Sequence, residues 1–123
     1  MLLHEVQKIL DAEVLVDAGK LDMEVHTAFA ADLMSDVLAF ADAGCLLLTG
    51  LTNPQVVRTA DVGGLTAIVF VRGKTPSQEA AEMAKELDIP LFSTPHTLFE
   101  ACGLLFAKGL KPCPPLVGKK VES

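Results

Sequence analysis

Three short segments carry the side chains and backbone that could do chemistry. Thr49-Gly50-Leu51-Thr52-Asn53 sets hydroxyls, an amide and a glycine just after an apolar run, and Pro54 follows. A glycine lets a ligand approach the backbone, and a helix starting at Pro54 would offer free N–H groups to an anion. Arg72-Gly73-Lys74-Thr75 places two cations ahead of Pro76, and an arginine fork suits phosphate or carboxylate. Ser93-Thr94-Pro95-His96-Thr97 adds hydroxyls and an imidazole. Each has a plainer reading, respectively a capped strand-to-helix turn, a solvated charged loop and a capped helix start. The anion-binding candidates are thus Thr49, Gly50, Thr52, Asn53, Arg72, Lys74, Thr75, Thr94, His96 and Thr97. No nucleophile or partner group is named beside His96, so no catalytic residue is assigned.

Several other chemistries lack their residues. Neither G-x-x-x-x-G-K-[ST] nor G-x-G-x-x-G occurs. His4, His26 and the cysteines Cys45, Cys102 and Cys113 match no standard zinc spacing, and an iron–sulfur cluster normally takes four thiolates. No metal or other cofactor is expected. Asp32 and Asp36 read as caps or surface charges. Cys45 and Cys102 lie in apolar segments and read as small core residues.

The elements that must position these segments follow from apolar periodicity. Leu3, Val6, Ile9 and Leu10 predict a helix over 3–11; 13–16 is a short strand, and 23–30 an extended segment with one solvated face. A helix follows with Leu33, Met34, Val37, Leu38 and Phe40 as its apolar face, capped by Asp32 or, one turn later, by Ser35. Then come a strand over 45–48, helix 54–61, strand 66–71, helix 76–87, strand 90–92 and helix 95–108. Asn53, Thr75 and Thr94 each precede a proline, which predicts three capped helices with proline in the first turn. Ala80, Met83, Ala84 and Leu87 form the inner face of helix 76–87. Helix 95–108 is apolar nearly all round and is expected at a subunit interface. The fold expected is a single-domain α/β/α sandwich with a mostly parallel sheet of about five strands. It spans residues 1–110, with an irregular proline-containing tail over 111–123. Ligands in such sheets bind beyond the carboxyl ends of the strands, which puts the three segments on one edge.

Bulk composition narrows the partners. At 123 residues the chain is one domain able to bury a core unaided, and half its residues are hydrophobic. A mean hydropathy of +0.42 predicts apolar surface hidden in an oligomer, most simply a homodimer. The net charge of −6 argues against nucleic acid. No apolar stretch reaches the roughly 20 residues of a membrane span, no signal peptide is apparent, and an odd cysteine count fits a reducing cytoplasm.

Taken in order, Ala12-Glu13-Val14-Leu15, Ala30-Ala31-Asp32-Leu33-Met34-Ser35, Gly44-Cys45-Leu46-Leu47-Leu48-Thr49 and Leu87-Asp88-Ile89-Pro90-Leu91-Phe92-Ser93-Thr94 with Pro95-His96-Thr97-Leu98-Phe99 resemble the DRTGG domain. That family is related to the N-terminal domain of HPr kinase/phosphorylase, and the resemblance covers about residues 3–110. Two signatures differ: Leu51-Thr52-Asn53-Pro54 stands where the family brings Asp-Arg-Thr, and Arg72-Gly73-Lys74 where many members have Thr-Gly-Gly. The resemblance implies a non-catalytic regulatory and dimerising module, attached in relatives to phosphotransacetylases and CBS-containing pyrophosphatases. Stand-alone relatives occur with iron-only hydrogenase genes. Two functions are therefore expected as alternatives. One is a dimeric ligand-sensing or protein-interaction module for a nucleotide or other phosphorylated metabolite. The other is an accessory protein of an iron–sulfur hydrogenase system, its thiols handling metal or electrons. A redox enzyme or kinase would be the partner protein.

Overall fold

Cys45 through Leu48 are wholly buried, as are Ala67 through Phe70, so these two segments are covered on both faces. Continuous apolar runs of this kind are what parallel strands between two helical layers require. In the computed structural model, which describes residues 1–113, they are the central strands of a six-stranded sheet. The elements in order are α1 (Leu3–Ile9), β1 (Glu13–Val16), β2 (Thr27–Ala30), α2 (Met34–Phe40), β3 (Leu46–Thr49), α3 (Pro54–Gly63), β4 (Ala67–Phe70), α4 (Gln78–Leu87), β5 (Leu91–Ser93), α5 (Leu98–Ala107) and β6 (Lys111–Pro112).

The sheet order is β1-β5-β4-β3-β2-β6. Every pairing is parallel except that of β1 with β5, where the register shifts between Val14 and Val16. The mostly parallel α/β architecture expected from the sequence is therefore present. The strand beyond the expected five is β6, where Lys111 and Pro112, expected to open an irregular tail, pair with Thr27 and Ala28. Cys113 donates its backbone N–H to Ala28 and is buried. The rest of the expected tail lies outside the described residues.

Alternation along each strand divides the core in two. Cys45, Leu47, Ile68, Phe70 and Leu91 pack with Val56, Val57 and Ala60 of α3 and with Ala80 and Ala84 of α4. Leu46, Leu48, Ala67, Val69 and Phe92 pack with Leu3 and Val6 of α1 and with Ala101 and Leu105 of α5. Helices thus cover both faces, as the period of two along a strand demands.

Several local expectations are corrected. The 23–30 segment is a strand only over Thr27–Ala30; its first half instead ties down the N-terminus, with Leu3 N–H donating to Met23 and Val25 N–H to Met1. In α2 only Val37 is buried, while Leu38 and Phe40 and the cap residue Leu33 are 50%, 57% and 61% exposed, because this two-turn helix packs mainly on α3. Asp32 does not cap it; Leu33 holds the cap position without a side-chain bond. Of the three helices expected to start at a proline, only α3 begins as predicted, with Pro54 in the first turn and Val56 N–H donating to Asn53 Oδ1 at 3.3 Å. α4 begins at Gln78, after Ser77 rather than Thr75, and Leu87 on its expected inner face is 39% exposed. α5 begins at Leu98, after Thr97 rather than Thr94. Later residues win both starts because their side chains reach the free N–H three positions on, Ala80 for Ser77 and Glu100 for Thr97.

Candidate functional site

β3, β4 and β5 are adjacent and parallel, with Thr49, Phe70 and Ser93 in register at their carboxyl ends. The loops that follow are consequently neighbours, and backbone bonds stitch them together. Val71 N–H donates to Thr49 O at 3.1 Å, Arg72 N–H to His96 O at 2.8 Å, and Gly73 N–H to Thr94 O at 2.8 Å. Ser77 N–H donates to Thr52 O at 3.0 Å, and Ser93 Oγ–H donates to Lys74 O at 2.6 Å. The segments 49–53, 72–75 and 93–97 form one rim, the crevice at which open α/β sheets take ligands.

Within the rim many of the expected side chains are occupied internally. Thr49 is buried, donates its hydroxyl to Asp32 Oδ1 at 3.0 Å, and accepts from Leu51 N–H. Asn53 caps α3. Thr94 is buried and donates to Leu10 O at 2.6 Å, a contact across 84 residues. Thr97 and Glu100 cap each other, Glu100 Oε1 accepting from the Thr97 N–H at 2.9 Å. That backbone bond, followed by the one from the Thr97 hydroxyl, holds the exposed Glu100 carboxyl below the usual glutamate range. His96 is half-buried, with Nδ1 at 3.8 Å from Glu100 Oε1.

What stays open is narrower. Arg72, Lys74 and Thr75 are exposed and Thr52 is half-buried. Among the described residues neither Arg72 nor Lys74 makes an ion pair. Arg72 stands in the left-handed region, φ +59°, followed by Gly73 at φ +68°. Gly50 N–H donates to Asp32 Oδ1 at 2.8 Å. A Cβ at Gly50 would lie 3.6 Å from Arg72 Nη2 and 3.6 and 3.7 Å from the two Asp32 carboxyl oxygens. The guanidinium and the carboxylate therefore face one spot over Gly50. Sequence reasoning assigned Asp32 to a helix cap; nothing local signals that β2 carries it alongside the end of β3.

Two other features lie away from the rim. A cavity of about 360 Å³ with an apolar wall opens beside α5, between Phe99, Cys102 and Phe106 and the sheet residues Ala28, Ala30 and Leu48. It leaves Phe99 87% and Phe106 65% exposed on a helix expected to be covered on several sides. Only Ala101 and Leu105 of α5 are buried. At the opposite end of β3 the thiols of Cys45 and Cys113 are neighbours, both buried, with Asp42 N–H on Cys113 Sγ at 3.2 Å. Burial first, then the bond with Cys113, pushes the Cys45 thiol far above its ordinary value, so it stays neutral. Among the described residues no group of three or more His, Cys, Asp or Glu could hold a metal, and no helix is long and apolar enough to cross a membrane.

Comparison with known proteins supplies a family. The DRTGG domain matches over residues 5–107, most of the chain. No curated protein matches it. A solved structure, the CBS and DRTGG domains of the regulatory region of Clostridium perfringens pyrophosphatase complexed with its activator diadenosine tetraphosphate, is similar at a TM-score of 0.71 and 20% identity. The match covers 94% of this chain and 52% of that one, so this chain spans about half the length of that structure. At this identity the similarity is one of fold.

Proposed function

The chain belongs to the DRTGG domain family, and on that premise we propose that it is a non-catalytic regulatory module sensing an anionic small molecule at the loop rim. The ligand is a nucleotide or another phosphorylated metabolite. The observation that carries the reading is the Arg72 guanidinium, exposed, without an ion pair among the described residues, and standing over a glycine at the carboxyl edge of the sheet. Lys74 and the half-buried Thr52 and His96 complete the set, and Thr75 adds an exposed hydroxyl. The pyrophosphatase regulatory region, which has the same fold, is described with a nucleotide activator, and this supports the ligand class.

The module works as a cytoplasmic homodimer closed through α5. Exposed Phe99 and Phe106 are costly to leave in water, and burying large side chains of this kind contributes on the order of 1.5–3 kcal/mol each. Titration calorimetry with adenine nucleotides, beside native mass spectrometry, tests both halves. Arg72→Ala abolishes ligand heat and leaves the dimer; Phe99→Ser with Phe106→Ser gives a folded monomer. Heat that persists undiminished in Arg72→Ala removes the rim from consideration.

The paired thiols favour a second reading, an accessory protein of an iron–sulfur redox system. It requires metal or visible absorbance in anaerobically purified protein, lost on Cys113→Ser. The neutral, buried state of Cys45 makes it the weaker of the two.

A further inference from the structure

A rim built for a bare anion would not place a carboxylate beside its arginine. Here Asp32 Oδ1 is engaged by the Thr49 hydroxyl and the Gly50 N–H, and these two bonds aim the carboxylate. Oδ2 receives no protein donor among the described residues, although it faces the same spot as Arg72 Nη2. The two groups do not close into an ion pair, which leaves opposite charges side by side over Gly50. A free phosphate settling on Arg72 would bring its charged oxygens against Asp32, and the P–OH it could donate is attached to that same charged centre. A metal ion or an ammonium group settling on Asp32 would meet the guanidinium, and among the described residues no further carboxylate, histidine or thiol is grouped with it to hold a metal. The guest that satisfies both is a neutral donor joined to an anion.

We propose that the rim reads its ligand through two unlike contacts, Arg72 on an anionic group and the free oxygen of Asp32 on a neighbouring hydroxyl, and so selects a sugar phosphate or nucleotide over inorganic phosphate. This rests on the reading of the rim as an anion site given above. The absence of a side chain at Gly50 is what leaves room for the guest, since a methyl there would sit in ordinary contact with both groups.

Titration calorimetry at fixed ionic strength, with inorganic phosphate, ribose 5-phosphate, AMP and 2′,3′-dideoxy-AMP, tests the proposal. Ribose 5-phosphate and AMP bind on the order of tenfold tighter than phosphate, the worth of one hydrogen bond to a charged group, and the dideoxy compound loses that gain. Equal binding of ribose 5-phosphate and AMP identifies a sugar phosphate as the guest; tighter binding of AMP identifies a nucleotide. Asp32→Asn raises affinity for phosphate and shrinks the preference for the hydroxylated ligands, a crossover that loss of structure would not produce. Gly50→Ala, whose methyl meets no atom closer than 3.6 Å, keeps the thermal melt and loses all four ligands. The proposal is overturned if phosphate, AMP and dideoxy-AMP bind alike while Arg72→Ala abolishes all three; the anion site then stands without the second contact. If none of the four shows Arg72-dependent heat, the anion site and the proposal fall together.

Discussion

Arg72 gives the sharpest prediction, because stability and ligand binding pull it in opposite directions. Its φ of +59° lies where an L-residue brings Cβ against its own backbone, a cost of about 1–2 kcal/mol that glycine does not carry. The conformation is imposed from outside: Arg72 N–H is held by His96 O and Gly73 N–H by Thr94 O. The side chain is exposed and makes no ion pair among the described residues, so removing it alone changes stability by no more than about 0.5 kcal/mol. Arg72→Ala keeps the Cβ and the strain. Arg72→Gly relieves the strain, against about 0.4–1 kcal/mol of extra freedom in the unfolded chain. The glycine variant is therefore expected to be more stable than the alanine variant by about 0.5–1 kcal/mol, or roughly 2–5 °C in melting temperature for a domain of this size. On the proposed reading of the rim, both variants are expected to lose anion binding. Urea unfolding followed by far-UV circular dichroism, with matched m-values, reads the difference. A glycine variant no more stable than the alanine variant would refute the left-handed assignment and with it the placement of the guanidinium over Gly50.

Three further outcomes follow from single residues. Thr59 Oγ1 is buried on α3 without a hydrogen-bond partner among the described residues, so Thr59→Val should stabilise the fold by about 1 kcal/mol in the same urea assay; destabilisation would mean that the hydroxyl has a partner. Glu100 has its folded-state pKa lowered by the Thr97 bonds, so its contribution is present above the ordinary glutamate pKa and is lost as pH falls through the lower folded value. Glu100→Gln should flatten that part of the acid limb of a stability–pH profile, and an unchanged limb would count against the capping box. Of the three cysteines, half-exposed Cys102 should react first with an aromatic disulfide reagent, slowly because burial raises its pKa. Cys45 and Cys113 should react only once urea unfolds the chain; prompt reaction of three thiols in native protein would contradict the packing of the sheet's lower end.

The parts of this molecule that were legible in the sequence are those decided within a few residues. Asn53-Pro54 marks a helix start because the cap, the missing proline N–H and the turn all lie together. The segments 45–48 and 66–71 read as strands because burial on both faces leaves nothing to alternate, and the structure has them over Leu46–Thr49 and Ala67–Phe70. From there the common rim follows by topology. Thr94 was misplaced because its hydroxyl answers a carbonyl at Leu10, and Asp32 because its partners lie at Thr49 and Gly50. The apolar pattern of α2 predicted a buried face, but periodicity reports which side chains could be covered and not what arrives to cover them. The two-residue β6 has no propensity signal at all; its pairing depends on where α5 delivers the chain.

The margins of the sheet set how copies of this protein can meet. On one flank the last strand is two residues long and contains Pro112, which has no amide proton to offer a neighbour. On the other, the irregular step between Val14 and Val16 breaks the regular ladder that an added strand would need. Continuous backbone templating, the route to open-ended fibrils, is thereby discouraged at both flanks. Cutting the chain back to Leu110 would unmask the row of peptide groups along β2 and open that flank to lateral growth.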